Sequence, residues 1–322
     1  MLARFVACTV AVLALASGAL AQTYPAKPVR IIVPFSAGGL TDVLGRGIAN
    51  ELTKLWGQRV LVENRAGANT IIAAELVAKS PPDGYTILLA NDPTLSLNQY
   101  MYSKLPYDPV RDLTPVINIL QSVTVLVVTP SLAANTLQEL IAMAKARPGE
   151  LTYGTFGYGS STHLDTLELG TMAGIKLNHI PFKGIAEVLP AVMSGQINMA
   201  LSAVAPALAN IRSGRLKALA YAGAQRNKVL PNVPTYAEAG LPGFFTHGWF
   251  GFVVPAGTPR EVIEKIAADT SKVITTREFD EKFISGVCME LINQGPAEYA
   301  EFLVKDRAQY ARRVKEANVK QD

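Results

Sequence analysis

Cysteine and histidine are nearly absent from the chain. Its thiols are Cys8 and Cys288, and its imidazoles are His163, His179 and His247. One thiol lies in the first apolar run, so Cys288 stands alone in the remainder and no disulfide framework is expected. The three histidines lack the close paired spacing of a zinc site, and no metal or other cofactor is expected. Positive charge is not concentrated either. The formal net charge is +4 and the basic residues are scattered, with no Lys/Arg stripe between aromatics that would suit a nucleic acid. After residue 21 no apolar run of about 20 residues occurs, so no membrane-spanning helix is expected there.

Enzyme signatures are also missing. The G-x-S-x-G elbow fails at Ser160, which has Tyr158 and Thr162 at the flanking positions. It fails at Ser161, which has Gly159 before it but His163 after it. A G-x-G-x-x-G fingerprint begins at Gly157 and Gly159, but Thr162 replaces the third glycine, and no phosphate-loop motif is present.

What is present is a globular composition, 49% hydrophobic and 17% charged, in a 322-residue chain long enough for two lobes. Residues 1–21 read as a secretory signal peptide. Arg4 is followed by an apolar stretch and by Ala19-Leu20-Ala21, an A-x-A cleavage site. Its removal takes Arg4, leaving a charge of +4 − 1 = +3. A mildly positive exported protein suits anionic small ligands.

Strand-like and helix-like runs then alternate. VRIIVPF (Val29 to Phe35), RVLVENR (Arg59 to Arg65) and YTILLAN (Tyr85 to Asn91) read as strands, with helices at Thr41 to Trp56 and Thr70 to Ser80. This βαβαβ order belongs to a parallel sheet flanked by helices. The run from Thr114 to Pro130 is too long and β-branched for an ordinary strand and is expected to pass between lobes. Helices at Thr136 to Ala146, Thr162 to Ala173 and Ala186 to Ser194 then alternate with strands at Leu151 to Phe156, Lys176 to Phe182, Ile197 to Ala203 and Lys217 to Gly223. The chain ends in helices at Arg260 to Thr275 and Ala297 to Ala317. The charges from Glu261 to Lys272 suggest a solvated outer face.

In open parallel sheets, ligands lie outside the carboxyl ends of strands, against helix N-termini. Two stretches fit. PFSAGGLTD (Pro34 to Asp42) joins a strand to a helix through small residues that expose backbone donors. FGYGSSTH (Phe156 to His163) repeats that design with added hydroxyls. Thr41, Ser161 or Thr162 are expected as helix caps. Further candidates at strand ends are Asn91, Phe182-Lys183-Gly184 and Ser202. Lys183 either adds a cation for a second carboxylate or is simply solvated. Trp249 and Phe250 either line the cleft or pack in the core, the core being favoured for Phe250. His163 is read as a pocket-wall or helix-surface residue, with a base beside Ser160 as the alternative.

Taken in order, YPAKPVRIIVPFSAGGLTD, VENRAGA, PPDGYTILLA, LPYDPVRDLTPV, LTYGTFGYGSSTHL, HIPFKG, LPAVMSGQIN, LPNVPTYAEAGLPGF and WFGFVVPAGTP resemble the Bug family, the substrate-binding proteins of tripartite tricarboxylate transporters. The resemblance covers essentially all of the chain from Tyr24. It implies an α/β, two-lobed periplasmic binding protein (Venus flytrap) of type II-like fold, each lobe a mostly parallel sheet flanked by helices. The expected lobes are residues 22–122 plus 245–322, and 123–244. A small organic carboxylate would lie between Phe35, Ser36, Ala37, Gly38, Gly39, Thr41 and Asp42 of one lobe and Phe156, Gly157, Gly159, Ser160, Ser161 and His163 of the other. Asn91, Phe182, Lys183, Gly184 and Ser202 would stand nearby. Implied partners are the integral-membrane subunits of such a transporter, or a sensor kinase, with the receptor a periplasmic monomer and not an enzyme. Phe182 stands where the family often has Tyr, Asn198 where Asp is common, and ANDPTLSLN departs from the usual smaller residues. The alternative expectation is a secreted hydrolase using Ser160 or Ser161 with His163.

Overall fold

The computed structural model describes residues 24–182 and 185–317. The expected signal peptide, Lys183 and Gly184 lie outside the described residues. The first unit is β1 (Val29–Val33), α1 (Leu40–Trp56), β2 (Val60–Asn64), α2 (Ile71–Ala78) and β3 (Thr86–Asn91). Helices cover both faces of the sheet, so the inner strand β3 is buried along its whole length and β1 is buried except at Arg30, whereas the edge strand β2 is largely half-buried. Val29, Ile31 and Val33 of β1 meet Leu44, Ile48 and Leu52 of α1. Ile32 points the other way, toward Ala73, Ala74 and Val77 of α2. Each such fully buried Ile or Leu contributes about 1.5–3 kcal/mol. Gly57 ends α1 in the left-handed conformation, and its N–H bonds Thr53 O at 3.0 Å.

After β3 come a π-helical turn at Pro93–Leu97 and the short α3 (Asn98–Met101). Then runs β4 (Leu113–Val128), the long strand expected to bridge the lobes. Its Leu113 to Val123 pair with β9 (His247–Pro255), and its Thr124 to Val128 pair with β7 (Met199–Ala203). Gln121 and Ser122, half-buried, separate two apolar stretches within it. The second unit holds α4 (Leu137–Ala146), β5 (Thr152–Thr155), α5 (Ser161–Ala173), β6 (Asn178–Pro181), α6 (Ile185–Met193), β7, α7 (Val204–Arg212) and β8 (Lys217–Tyr221). After β9 follow α8 (Arg260–Ile274), α9 (Arg277–Phe283), β10 (Glu290–Gln294) and α10 (Pro296–Ala317).

The strand order is β2-β1-β3-β9-β4-β7-β5-β6, with β8 and β10 also on β4. The βαβ units pair in parallel, β1 with β2 and β3, and β5 with β6 and β7. The strands that arrive by other routes, β4, β8, β9 and β10, pair antiparallel, so each sheet is mixed. One core gathers apolar side chains from Val123 to Phe244 together with Cys288, a buried free thiol. The other cores draw mainly on residues before and after that stretch.

Several expectations need correction. α9 and β10 were not anticipated. β10 is an edge strand whose residues are exposed or half-buried, so it carries no apolar alternation to betray it. α8 is not simply a solvated face. Val262, Ile266, Ala267, Val273 and Ile274 are buried beneath its charges, and buried Asp269 accepts from Trp56 Nε1 at 2.8 Å. Trp249 is fully buried, with Nε1 donating to Asp306 at 3.0 Å, and Phe250 is partly buried against the first unit's core. Neither α1 nor α5 is capped by Thr41, Ser161 or Thr162. Gly39 is the N-cap of α1 without a side-chain bond, and Ser160 caps α5 by accepting from His163 N at 3.3 Å.

Candidate functional site

The first candidate loop leaves β1 at its carboxyl end and enters α1. Phe35 is half-buried, whereas Ser36, Ala37, Gly38 and Gly39 are exposed. Gly38 has φ +84°, a conformation that glycine adopts without strain. Asp42, one turn into α1, turns back on the loop. Its Oδ2 accepts from Gly38 N at 2.9 Å and from Arg46 Nε at 3.0 Å, and its Oδ1 accepts from Asn64 Nδ2 at 2.9 Å. Asn64 Nδ2 also reaches Phe35 O at 3.0 Å, which ties β2 to the loop. The Arg46 hydrogen bond dominates and brings the Asp42 carboxyl down to about 2, burial opposing it. Asp42 is therefore a brace for the loop, with its carboxylate engaged by the loop itself. The N–H groups of the first turn of α1 keep no intrahelical partner and carry the positive end of the dipole. Thr41 is buried beside them.

The second loop joins β5 to α5. Gly159 N donates to His163 Nδ1 at 3.0 Å, and Ser160 Oγ donates to Gly157 O at 2.8 Å. Gly157 N donates to Thr155 Oγ1 at 3.2 Å, and Thr155 Oγ1 lies 2.6 Å from His179 Nε2. The His163 and His179 rings stack at 4.1 Å. Burial, aided by His179, lowers His163 to about 4, and burial lowers His179 as well, so both imidazoles are neutral at pH 7. Gly159 and His163 are buried, Gly157, Ser160 and Ser161 half-buried, and Phe156 exposed. The first-turn N–H groups of α5 again lack helical partners.

A residue not singled out in the sequence ties the second loop's helix to the end of β3. Asp92 follows β3, and its carboxylate is hydrogen-bonded by the Ser161 hydroxyl and by Tyr310 OH at 2.8 Å. Because β3 runs parallel to β1, Asp92 and the α5 N-terminus that it touches lie at the carboxyl end of the first unit's strands, the end from which the first loop also leaves. The carboxyl of Asp92 is buried, and no signal in ANDPTLSLN alone could place it against α5 and α10.

The other candidates are less central. Asn91 is buried and accepts from Thr94 Oγ1 at 2.7 Å. Phe182 N donates to Thr155 O at 3.0 Å, so Phe182 abuts the second loop. Ser202 is buried, and its hydroxyl donates to Ala203 O at 2.9 Å without touching either loop. Asn198, in place of the expected acid, accepts from Thr152 N at 2.8 Å and serves the β5–β7 junction. Among the described residues no group of three His, Cys, Asp or Glu is arranged to hold a metal.

The same geometry leaves the hydrolase alternative without support. The Ser160 hydroxyl proton points to Gly157 O, His163 Nδ1 is taken by Gly159 N–H, and Ser161 faces Asp92.

The comparisons with known proteins agree. BugT of Bordetella pertussis is 34% identical over 312 residues, covering 97% of this chain and 95% of that protein. The solved structure of R. palustris Rpa4515 with adipate superposes with a TM-score of 0.84 at 33% identity, covering 92% of this chain and 99% of that one. MatC from Rhodopseudomonas palustris with bound malate gives 0.80 at 28% identity, over 90% of this chain and 100% of that one. The family and these neighbours are substrate-binding receptors, not enzymes. The model of the tripartite tricarboxylate transporter family receptors matches residues 44–319, and the chain belongs to that family.

Proposed function

We propose that this protein is a periplasmic receptor that captures a small organic carboxylate between the loops at Phe35 to Asp42 and Phe156 to His163. The observation that carries the reading is a pair of glycine-bearing strand-to-helix loops at the carboxyl ends of β1 and β5, each ending in helix N–H groups without helical partners, with the N-terminus of α5 held against Asp92 at the end of β3. A helix N-terminus stabilises an anion by its dipole and its free donors together. Relatives solved with adipate and malate support a carboxylate as the ligand class.

Asp42 braces the first loop, and Ser160 and His163 shape the second. Phe182 and Asn91 border the cleft, with Lys183 and Gly184 next to Phe182 in sequence. The lobes are residues 22–122 plus 245–322, and 123–244, a division supported by the separate apolar cores and by the change of partner along β4. Residues 1–21 direct export to the periplasm. There the protein acts as a monomer, and closure over the acid creates the face read by the integral-membrane subunits of a tripartite tricarboxylate transporter or by a sensor kinase.

The test uses mature protein freed of endogenous ligand by unfolding and refolding. Melting curves are recorded against carboxylates and their matched amides. An acid at about 100 times its Kd adds roughly 2.7 kcal/mol, a clear rise in melting temperature, while its amide adds nothing. Equal shifts with acid and amide, or none across monocarboxylates, dicarboxylates, tricarboxylates, amino acids and aromatic acids, would sink the reading.

A further inference from the structure

Asp92 is 4% exposed, and among the described residues it makes no ion pair. Its neighbours come from three directions. From α10 come Tyr310 OH at 2.8 Å and the carboxyl of Asp306, itself the acceptor of Trp249 Nε1. From α5 come the Ser161 hydroxyl and the carboxyl of Asp165. From β9, Gly248 presents backbone alone, with Asp92 Oδ1 at 3.7 Å from where a Cβ would stand. The nearby cation of Arg313 is held by Asp165 and Glu168. A carboxyl so placed receives hydroxyl donors but no counter-charge. It also touches the first residue of the helix against which the ligand would sit.

We propose that Asp92 is a positioning residue that couples capture of a carboxylate to uptake of one proton. Its carboxyl, wedged between α10 and the first turn of α5, must be neutral when an anion occupies the second loop. The inference rests on the carboxylate-receptor reading above. As the anion enters, one proton passes from a buffer acid to an Asp92 oxygen, no further bond is made or broken, and the cleft becomes more negative by one unit less than the ligand alone would make it. Ligand affinity and proton affinity then strengthen each other reciprocally. The free protein is poised for this. Burial, then repulsion from Asp306, pushes Asp92 up to about 7, the hydroxyl donors opposing the shift. The carboxyl is therefore partly charged at neutral pH before the ligand arrives and neutral afterwards. The neutral acid still bonds Ser161 and Tyr310, so the first turn of α5 keeps its position.

The experiment is calorimetric titration of the whole mature protein with malate, adipate, citrate, glutamate and benzoate. It runs from pH 6 to pH 8.5, in Tris and in Hepes, whose ionisation enthalpies differ. The expected result is a Kd that weakens above pH 7 by up to about tenfold per pH unit, with uptake of about half a proton at pH 7 and more at pH 8. Asp92→Asn should remove both the pH dependence and the buffer dependence. Tyr310→Phe, which deletes a donor to the charged form, should keep the coupling and move its onset to higher pH; this keeps the test intact if Asp92→Asn fails to fold. Binding with a flat Kd and no buffer dependence overturns the coupling and leaves the receptor reading standing. Absence of binding by all five acids at every pH overturns the coupling together with the carboxylate-receptor reading.

Discussion

Arg313 is the charge on which the contact between α5 and α10 depends, and its removal is the sharpest test of how the two units are joined. Its side chain is 6% exposed, is hydrogen-bonded to Asp165, and lies 2.7 Å from Glu168 through Nε. Burial alone would lower its proton affinity, yet Asp165 and then Glu168 raise it well above the ordinary arginine range, so the guanidinium stays charged at every accessible pH. Arg313→Met keeps much of the volume and leaves buried Asp165 and half-buried Glu168 without that cation. Removing one partner of a buried ion pair costs about 3–5 kcal/mol. At roughly 2 °C per kcal/mol for a chain of this size, the melting temperature should fall by about 6–10 °C at pH 8. Adding Asp165→Asn and Glu168→Gln to Arg313→Met should recover most of the loss, because the stranded charges are gone. The assay is calorimetric melting of the parent, the single variant and the triple variant at pH 8. A single variant that melts within 2 °C of the parent, or a triple variant no better than the single, would refute the reasoning.

Other outcomes follow from the same contacts. Ser160→Ala removes the cap of α5 and should cost about 0.5–2 kcal/mol in urea unfolding, with ligand affinity reduced because the second loop loses its Ser160–Gly157 bond. Asp42→Ala should cost about 1–3 kcal/mol by removing the shared acceptor of Gly38 N, Arg46 Nε and Asn64 Nδ2, and it should speed hydrogen exchange at Gly38 N, read by NMR. The folded pKa of Asp92 lies above its unfolded value, so its contribution is full below about pH 4 and lost as the pH rises to about 7. Asp92→Asn should accordingly be the more stable protein at pH 8, by at most about 4 kcal/mol, and should lose that advantage by pH 4.

Much of the fold can be read from the sequence, because strands covered on both faces must be apolar runs and turn residues punctuate them. VRIIV, TILLAN and the long β4 announce themselves in this way. β10 does not, since Glu290 to Gln294 is an exposed edge whose pairing is set by β4 alone. α8 misleads because the charges of its outer face alternate at the same spacing as the buried Val262, Ile266 and Val273. Both candidate loops are legible, for a strand, small residues and a helix in succession are local features. Asp92 is not, because its surroundings come from Ser161 and Tyr310, 69 and 218 residues along the chain. Nor is the bracing role of Asp42, which needs Asn64 at the end of a neighbouring strand.

The most direct test of the carboxylate-receptor reading is an amide-resolved NMR titration of the ligand-free mature protein with adipate, malate and their diamides. The account predicts that the backbone N–H signals of Gly39, Leu40 and Thr41, and of Ser160, Ser161 and Thr162, shift together with one acid and stay in place with its diamide. Shifts confined to other parts of the chain, or the same shifts with acid and diamide, would contradict it.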